Sequence, residues 1–176
     1  MVYKAAGREG KAKQVLLACG AGNLTILEGL GICHSLQIES WHAFHLQASE
    51  EIPGVIWFHD ENALLQQPQE GEMVLEVVSP ASGGRPAEAS VDWSLLENLR
   101  QRFGEALPAL VESPALRGVS GLRLALAGQP EFPTSPGGRI IASGGFGCHG
   151  PLLAVAVAES FAALAMQGSS DLLEEC

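Results

Sequence analysis

The chain has 176 residues, with 47% hydrophobic and 17% charged positions, which fits a packed globular protein and argues against disorder. Twenty Asp and Glu against ten Lys and Arg give a formal net charge of −10, and no dense basic stripe occurs. Nucleic acid is therefore excluded as an expected partner, because phosphate binding needs clustered cations.

Residues 14–18 (Gln-Val-Leu-Leu-Ala) form an apolar run that stops at Gly20-Ala21-Gly22-Asn23. An apolar run without alternation predicts a strand buried on both faces. A short helix over 25–30, ended by Gly31, is expected to follow. Residues 36–47 predict the next strand. Leu36, Ile38, Phe44 and Leu46 share one parity, while Trp41, Ala43 and His45 lie on the other face. Pro53-Gly54 marks a turn, and 55–58 and 73–78 predict two further strands. Together these pieces predict an antiparallel sheet with one face partly exposed.

A Ser, Pro and Gly loop over 79–86 leads to a predicted helix over 91–110. Trp93, Leu96, Leu99, Phe103, Leu107 and Leu110 recur at spacings of three and four, and Ser90 or Asp92 can cap its start. Pro108 makes its last turn irregular. Residues 122–127 and 139–143 predict short strands separated by a proline-rich loop. The glycine-rich turn 144–150 then leads to a last helix over 151–166, with Leu153, Val157, Phe161 and Leu164 on one stripe and alanines on a second. The fold expected is α+β: an antiparallel sheet between two α/β pieces that share one layer, ending in a C-terminal helix. No run is apolar and long enough to span a bilayer, since 151–166 carries Glu159. No signal-peptide core opens the chain. Cys19, Cys33, Cys148 and Cys176 have no paired spacing, so reduced thiols in a cytoplasmic protein are expected.

Two glycine turns carry the chemical signal. Pro151 suits a first helical position, so the last helix starts with orphan N–H groups facing glycines that admit a close ligand. The same glycines also fit a plain tight turn. The first turn begins like a dinucleotide fingerprint but has Thr25 at the third glycine position, and the acid at the expected distance, Glu39, lies within a continuous strand. An independent NAD site is not expected. The dipeptides Cys33-His34 and Cys148-His149 match no zinc spacing, and no metal site is expected. His42 and His45 differ in parity and form no single constellation. Arg123 lies within the apolar run 122–127, where a cation needs a partner, either a protein carboxylate or a bound one.

In this order the segments resemble the D-amino-acid-oxidase-like superfamily of FAD-dependent oxidoreductases. In that family a buried strand ends in an Ala-x-Gly-Ala type of turn against the dinucleotide, matched by Ala18-Cys19-Gly20-Ala21. The antiparallel strands over 36–78, the helix over 91–110, Gly121-Leu122-Arg123 and the glycine turn and helix over 143–166 follow in the family's order. The resemblance implies FAD held by Cys19, Gly20, Ala21, Gly145, Phe146, Gly147, Cys148, His149 and Gly150. It implies an amine or amino-acid substrate, with Arg123 as its binding residue. It also implies a partial FAD-binding layer over 1–31, a substrate sheet and helix over 32–120, a return to the FAD-binding layer over 121–168 and a tail over 169–176. Two departures stand out. The aspartate of the family's Pro-x-x-x-Asp-x-x-Pro stretch is missing after Arg123, and so is the glycine fingerprint that holds the FAD pyrophosphate. The resemblance thus implies the C-terminal portion of such an enzyme, or an accessory chain that completes a partner's flavin site, the partner supplying the missing dinucleotide-binding half.

Overall fold

A computed structural model of the chain describes residues 2–5, 7–48, 50–52, 54–80, 90–126, 132–146 and 150–167. The chain forms two compact units, one of residues 1–37 and 123–176, the other of residues 38–122.

The second unit is built on a five-stranded sheet. Its strands are β4 (Leu36–Gln47), β5 (Val55–Phe58), β6 (Ala63–Gln69), β7 (Glu72–Pro80) and β8 (Ala115–Leu126), in the order β5-β6-β7-β4-β8. β4 and β7 run antiparallel with Phe44 opposite Leu75 and Leu46 opposite Met73. Strict alternation then sends Phe44, Leu46, Leu65, Met73 and Leu75 into one core, all of them fully buried. Covering this face are α2 (Trp93–Phe103), through Leu96 and Leu99, and the short α3 (Pro108–Glu112), through Leu110. Asp92 caps α2, its carboxylate accepting from the Ser94 N–H at 3.0 Å. The opposite face of the sheet carries Trp41, whose indole N–H donates to Glu76, and His45, whose Nδ1 lies 2.5 Å from Glu72. Both glycine and proline shape the helical segment, which is two helices where the sequence predicts one. A Cβ on Gly104 would stand 2.5 Å from Val111 and 2.6 Å from the Arg100 carbonyl, and Pro108 starts α3 where its missing N–H costs nothing.

β6 is a strand that the sequence reading leaves unassigned. Its glutamines and Pro68 hide it, and the ladder to β7 shifts register between Gln66 and Gln69, around that proline. It is entered through a 3-10 turn, His59–Glu61, and Asn62 in the left-handed region at φ 48°.

The first unit holds a hairpin of β1 (Val2–Ala5) and β2 (Arg8–Lys11), which was also unassigned, and the parallel pair β3 (Val15–Leu17) and β9 (Ile140–Ala142). β3 leads into α1 (Gly22–Gly29), and the chain's last described element is α4 (Gly150–Gln167). The two ends of the chain therefore share one layer, as the sequence predicts. Leu16 departs from expectation. It is 44% exposed, whereas Leu17 and its partner Ala142 are buried; among the described residues only β9 pairs with β3. No helix among the described residues is long and apolar enough to cross a membrane.

Candidate functional site

The parallel pair sets the geometry. Val15, Leu16 and Leu17 lie opposite Ile140, Ile141 and Ala142, so both strands end at the same edge. Ser143 N–H donates to the Leu17 carbonyl at 2.8 Å and closes the ladder. Beyond that rung both chains turn at once, through Cys19-Gly20-Ala21 on one side and Gly144-Gly145-Phe146 on the other. Gly20 has φ +57° and Gly145 φ +83°, conformations that favour glycine. A Cβ built on Gly20 would meet nothing within 4 Å, so open space lies in front of that turn. In α/β layers the crevice outside the carboxyl ends of parallel strands is where ligands bind.

The backbone around these turns is tightly fixed. Gly22, Asn23 and Leu24 donate their N–H groups to the carbonyls of Cys19, Gly20 and Ala21, which winds the turn directly into α1. Asn23 is fully buried and holds both turns with its carboxamide. On the other side, Phe146 pairs with Ala125, in the last residues of β8 that belong to this first unit, in a single antiparallel bridge. Its ring lies 6.2 Å from Phe132, which packs edge-on against Phe161 of α4 at 5.7 Å. This row of aromatic rings ties the second turn to the body of the last helix.

The sequence-derived cofactor residues thus fall into three groups. Cys19, Gly20, Ala21, Gly145 and Phe146 lie at the ends of one strand pair. Gly150 opens α4, close to the start expected from Pro151, and a Cβ there would meet nothing within 4 Å. Gly147, Cys148 and His149 lie outside the described residues. Arg123 lies half-buried on β8, two residues before Ala125 and its bridge to Phe146. His42 and His45 belong to the other unit and to opposite faces of β4, which keeps them apart as their parity predicts.

Asn23 is the residue the sequence reading quotes without a role. The only signal was position: an amide side chain directly after a glycine turn, where it can reach backbone on either side. Among the described residues no group of three or more His, Cys, Asp or Glu gathers to hold a metal. A groove of about 690 Å³ opens elsewhere, at one end of the antiparallel sheet, and Glu50, Glu51 and Glu70 line it. Its carboxylates repel phosphate, so it does not compete as a dinucleotide site.

The fold can be compared with solved structures. The chain matches glycine oxidase from Geobacillus kaustophilus with a TM-score of 0.69 and 18% identity, over 93% of this chain and 44% of that one. For iminodiacetate oxidase (IdaA) from Chelativorans sp. BNC1 the values are 0.69 and 20%, over 94% and 45%. For L-proline dehydrogenase from P. horikoshii they are 0.67 and 23%, over 93% and 45%. No protein-family model matches the sequence, and no curated protein matches it. The chain has the fold of part of these oxidases and dehydrogenase, and it spans a little under half of their length.

Proposed function

We propose that this chain is the C-terminal portion of an FAD-dependent oxidoreductase of the D-amino-acid-oxidase-like superfamily, acting on C–N bonds of amino acids or related amines. The observation that carries this reading is the paired ending of β3 and β9 in two glycine turns, within a fold shared with amino-acid and amine oxidoreductases. The residues fit the cofactor. Gly20 and Gly150 leave space that a Cβ would otherwise occupy, and Gly145, at φ +83°, takes a backbone conformation that favours glycine.

Cys19, Gly20 and Ala21 would line the dinucleotide on one side, and Gly145, Phe146 and Gly150 on the other. When bound, FAD supplies the acceptor for the hydride of the substrate C–H bond next to nitrogen. The protein's part is orientation. The N-terminus of α4 offers partial positive charge to an electron-rich oxygen, and Arg123 offers a planar fork to a substrate carboxylate. The antiparallel unit serves as the substrate-side unit. A cytoplasmic setting accords with the free thiols of Cys19 and Cys33.

A second reading is that of an accessory chain which completes a partner's flavin site. It is favoured by α4, an almost wholly apolar helix on which Leu153, Val155 and Met166 are exposed. Amide spectra of the ¹⁵N-labelled chain titrated with FAD test the cofactor site. Shifts centred on Cys19–Ala21 and Gly145–Gly150 are expected, and a spectrum untouched by millimolar FAD would overturn the assignment. Colour separates the two readings. A chain that purifies yellow carries its cofactor unaided, whereas one that becomes yellow only with a second chain present is the accessory form.

A further inference from the structure

The hydrogen-bond register of β3 and β9 contains a break that one side chain fills. In a parallel ladder, donors alternate along each strand at evenly spaced, slanted rungs. Here Val15 N–H donates to the Arg139 carbonyl, and Ser143 N–H donates to the Leu17 carbonyl. With Leu17 opposite Ala142, the next rung would join Cys19 N–H to the Ser143 carbonyl. That rung is split. Cys19 N–H donates instead to Oδ1 of Asn23 at 2.9 Å, and Nδ2 of Asn23 donates to the Ser143 carbonyl at 2.8 Å. The second Nδ2 proton goes to the Leu17 carbonyl at 3.2 Å. The carboxamide is thus inserted between the strands like an extra peptide group, and each backbone atom it separates remains satisfied.

We infer that Asn23 is a positioning residue: its carboxamide wedges β3 and β9 apart where their glycine turns begin, opening the crevice that a dinucleotide enters. The inference rests on the FAD reading above. Three observations bear on it. Asn23 is fully buried, so its polar atoms need these partners and have no water to replace them. The bond to Ser143 spans 120 residues of sequence, so it sets the separation of two distant segments and not only the shape of a local turn. Gly144 follows Ser143 directly, and a Cβ there would lie 2.9 Å from Leu124 and 3.5 Å from Nδ2 of Asn23. The second turn thus packs directly against the wedge, and a side chain at Gly144 would have to displace Leu124.

Asn23→Asp is the discriminating variant. It keeps the acceptor for Cys19 N–H and turns both donor bonds into contacts between carboxylate and carbonyl oxygens. Asn23→Ser is the milder companion, keeping one short donor, and Leu96→Ala destabilises the other unit's core as a control. FAD affinity is read from amide shifts in ¹⁵N spectra, which also report whether each variant is folded. We expect at least a tenfold rise in the FAD dissociation constant for Asn23→Asp and a smaller rise for Asn23→Ser. Leu96→Ala should change it less than twofold. Relative to the wild type at the same pH, Asn23→Asp should recover affinity in acid, where a protonated carboxyl donates again. A merely structural role predicts lost stability without this recovery. A folded Asn23→Asp or Asn23→Ser chain with wild-type affinity overturns the wedge alone. A wild-type chain whose turns ignore FAD overturns the cofactor reading and the wedge's cofactor role together.

Discussion

His42 is 4% exposed, and its Nδ1 accepts a hydrogen bond from the Asp92 N–H at 3.4 Å, fixing the start of α2 against β4. Burial pushes its pKa below the ordinary 6.5, and the nearby Asp92 carboxylate opposes this only in part. The unfolded chain therefore binds this proton more readily than the folded one, so stability is complete above pH 6.5 and falls as the pH drops toward the folded value. Glu72 and Asp92, both held below their ordinary 4.5 and 3.8, contribute losses only at lower pH. Melting temperature should thus decline between pH 7 and pH 5, and His42→Gln should flatten that slope; an unchanged slope would assign it elsewhere. Arg123 gives a second prediction. If it forks a substrate carboxylate, Arg123→Lys keeps charge but loses the planar geometry, and kcat/KM of the completed enzyme should fall by about 10- to 100-fold, or about 1.4 kcal/mol per factor of ten. Steady-state kinetics that stay unchanged in both Arg123→Lys and Arg123→Ala exclude this role. Single residues were unevenly legible. The glycines announced their turns because positive φ is written into residue type, whereas the wedge formed by Asn23 depends on Ser143, and no local pattern reveals a partner 120 positions away.

Elements were legible where burial is one-sided and periodic. β4 and β5 match their predicted bounds, since their apolar residues alternate across one covered face. β6 was not legible, because its identity comes from the neighbours it pairs with; glutamine and proline carry little strand preference of their own. The helical segment after the loop shows the opposite error. Periodicity ran on through Leu107 and Leu110, but the backbone cannot, because Gly104 is packed against Val111 and the chain restarts at Pro108. Arg100 holds this corner, donating from Nε to the Leu110 carbonyl at 3.1 Å and from a terminal nitrogen to the Ser113 carbonyl at 2.6 Å. The cap at the other end of α2 is testable. Asp92→Ala removes the acceptor for Ser94 N–H and should cost about 1 kcal/mol of stability, measured as a shift in urea midpoint with an unchanged m-value. A Gly104→Ala chain should lose more, because its Cβ meets the Arg100 carbonyl backbone and cannot be relieved by a rotamer change. Equal midpoints for the two variants would contradict that packing argument.

At the scale of the whole molecule, the first unit is short of cover. A parallel sheet is normally buried on both faces, yet here it consists of two three-residue strands, with Leu16 44% exposed. A helix apolar on most of its faces belongs largely in an interior, yet on α4 Val155 is 67% and Met166 85% exposed. In the proteins that share the fold, more than half of the chain lies outside the matched part. These facts converge on one expectation: the apolar face of α4 and the edge of β3 away from β9 seek a partner, whereas the far edge of β9 is already bonded to residues 133–135. With none supplied, the chain should associate with itself, because exposed apolar surface and unpaired strand edges are both adhesive. Sedimentation velocity should reveal species larger than a monomer, growing with protein concentration. Val155→Glu and Met166→Glu together put charge on the face of α4 without touching either glycine turn, and should return the chain to monomer. FAD affinity should be weak in both forms, since a two-stranded layer offers few groups to hold a pyrophosphate. A wild-type chain that remains monomeric across the concentration range would mean that α4 is covered by residues of this chain, and that the unit is closed as it stands.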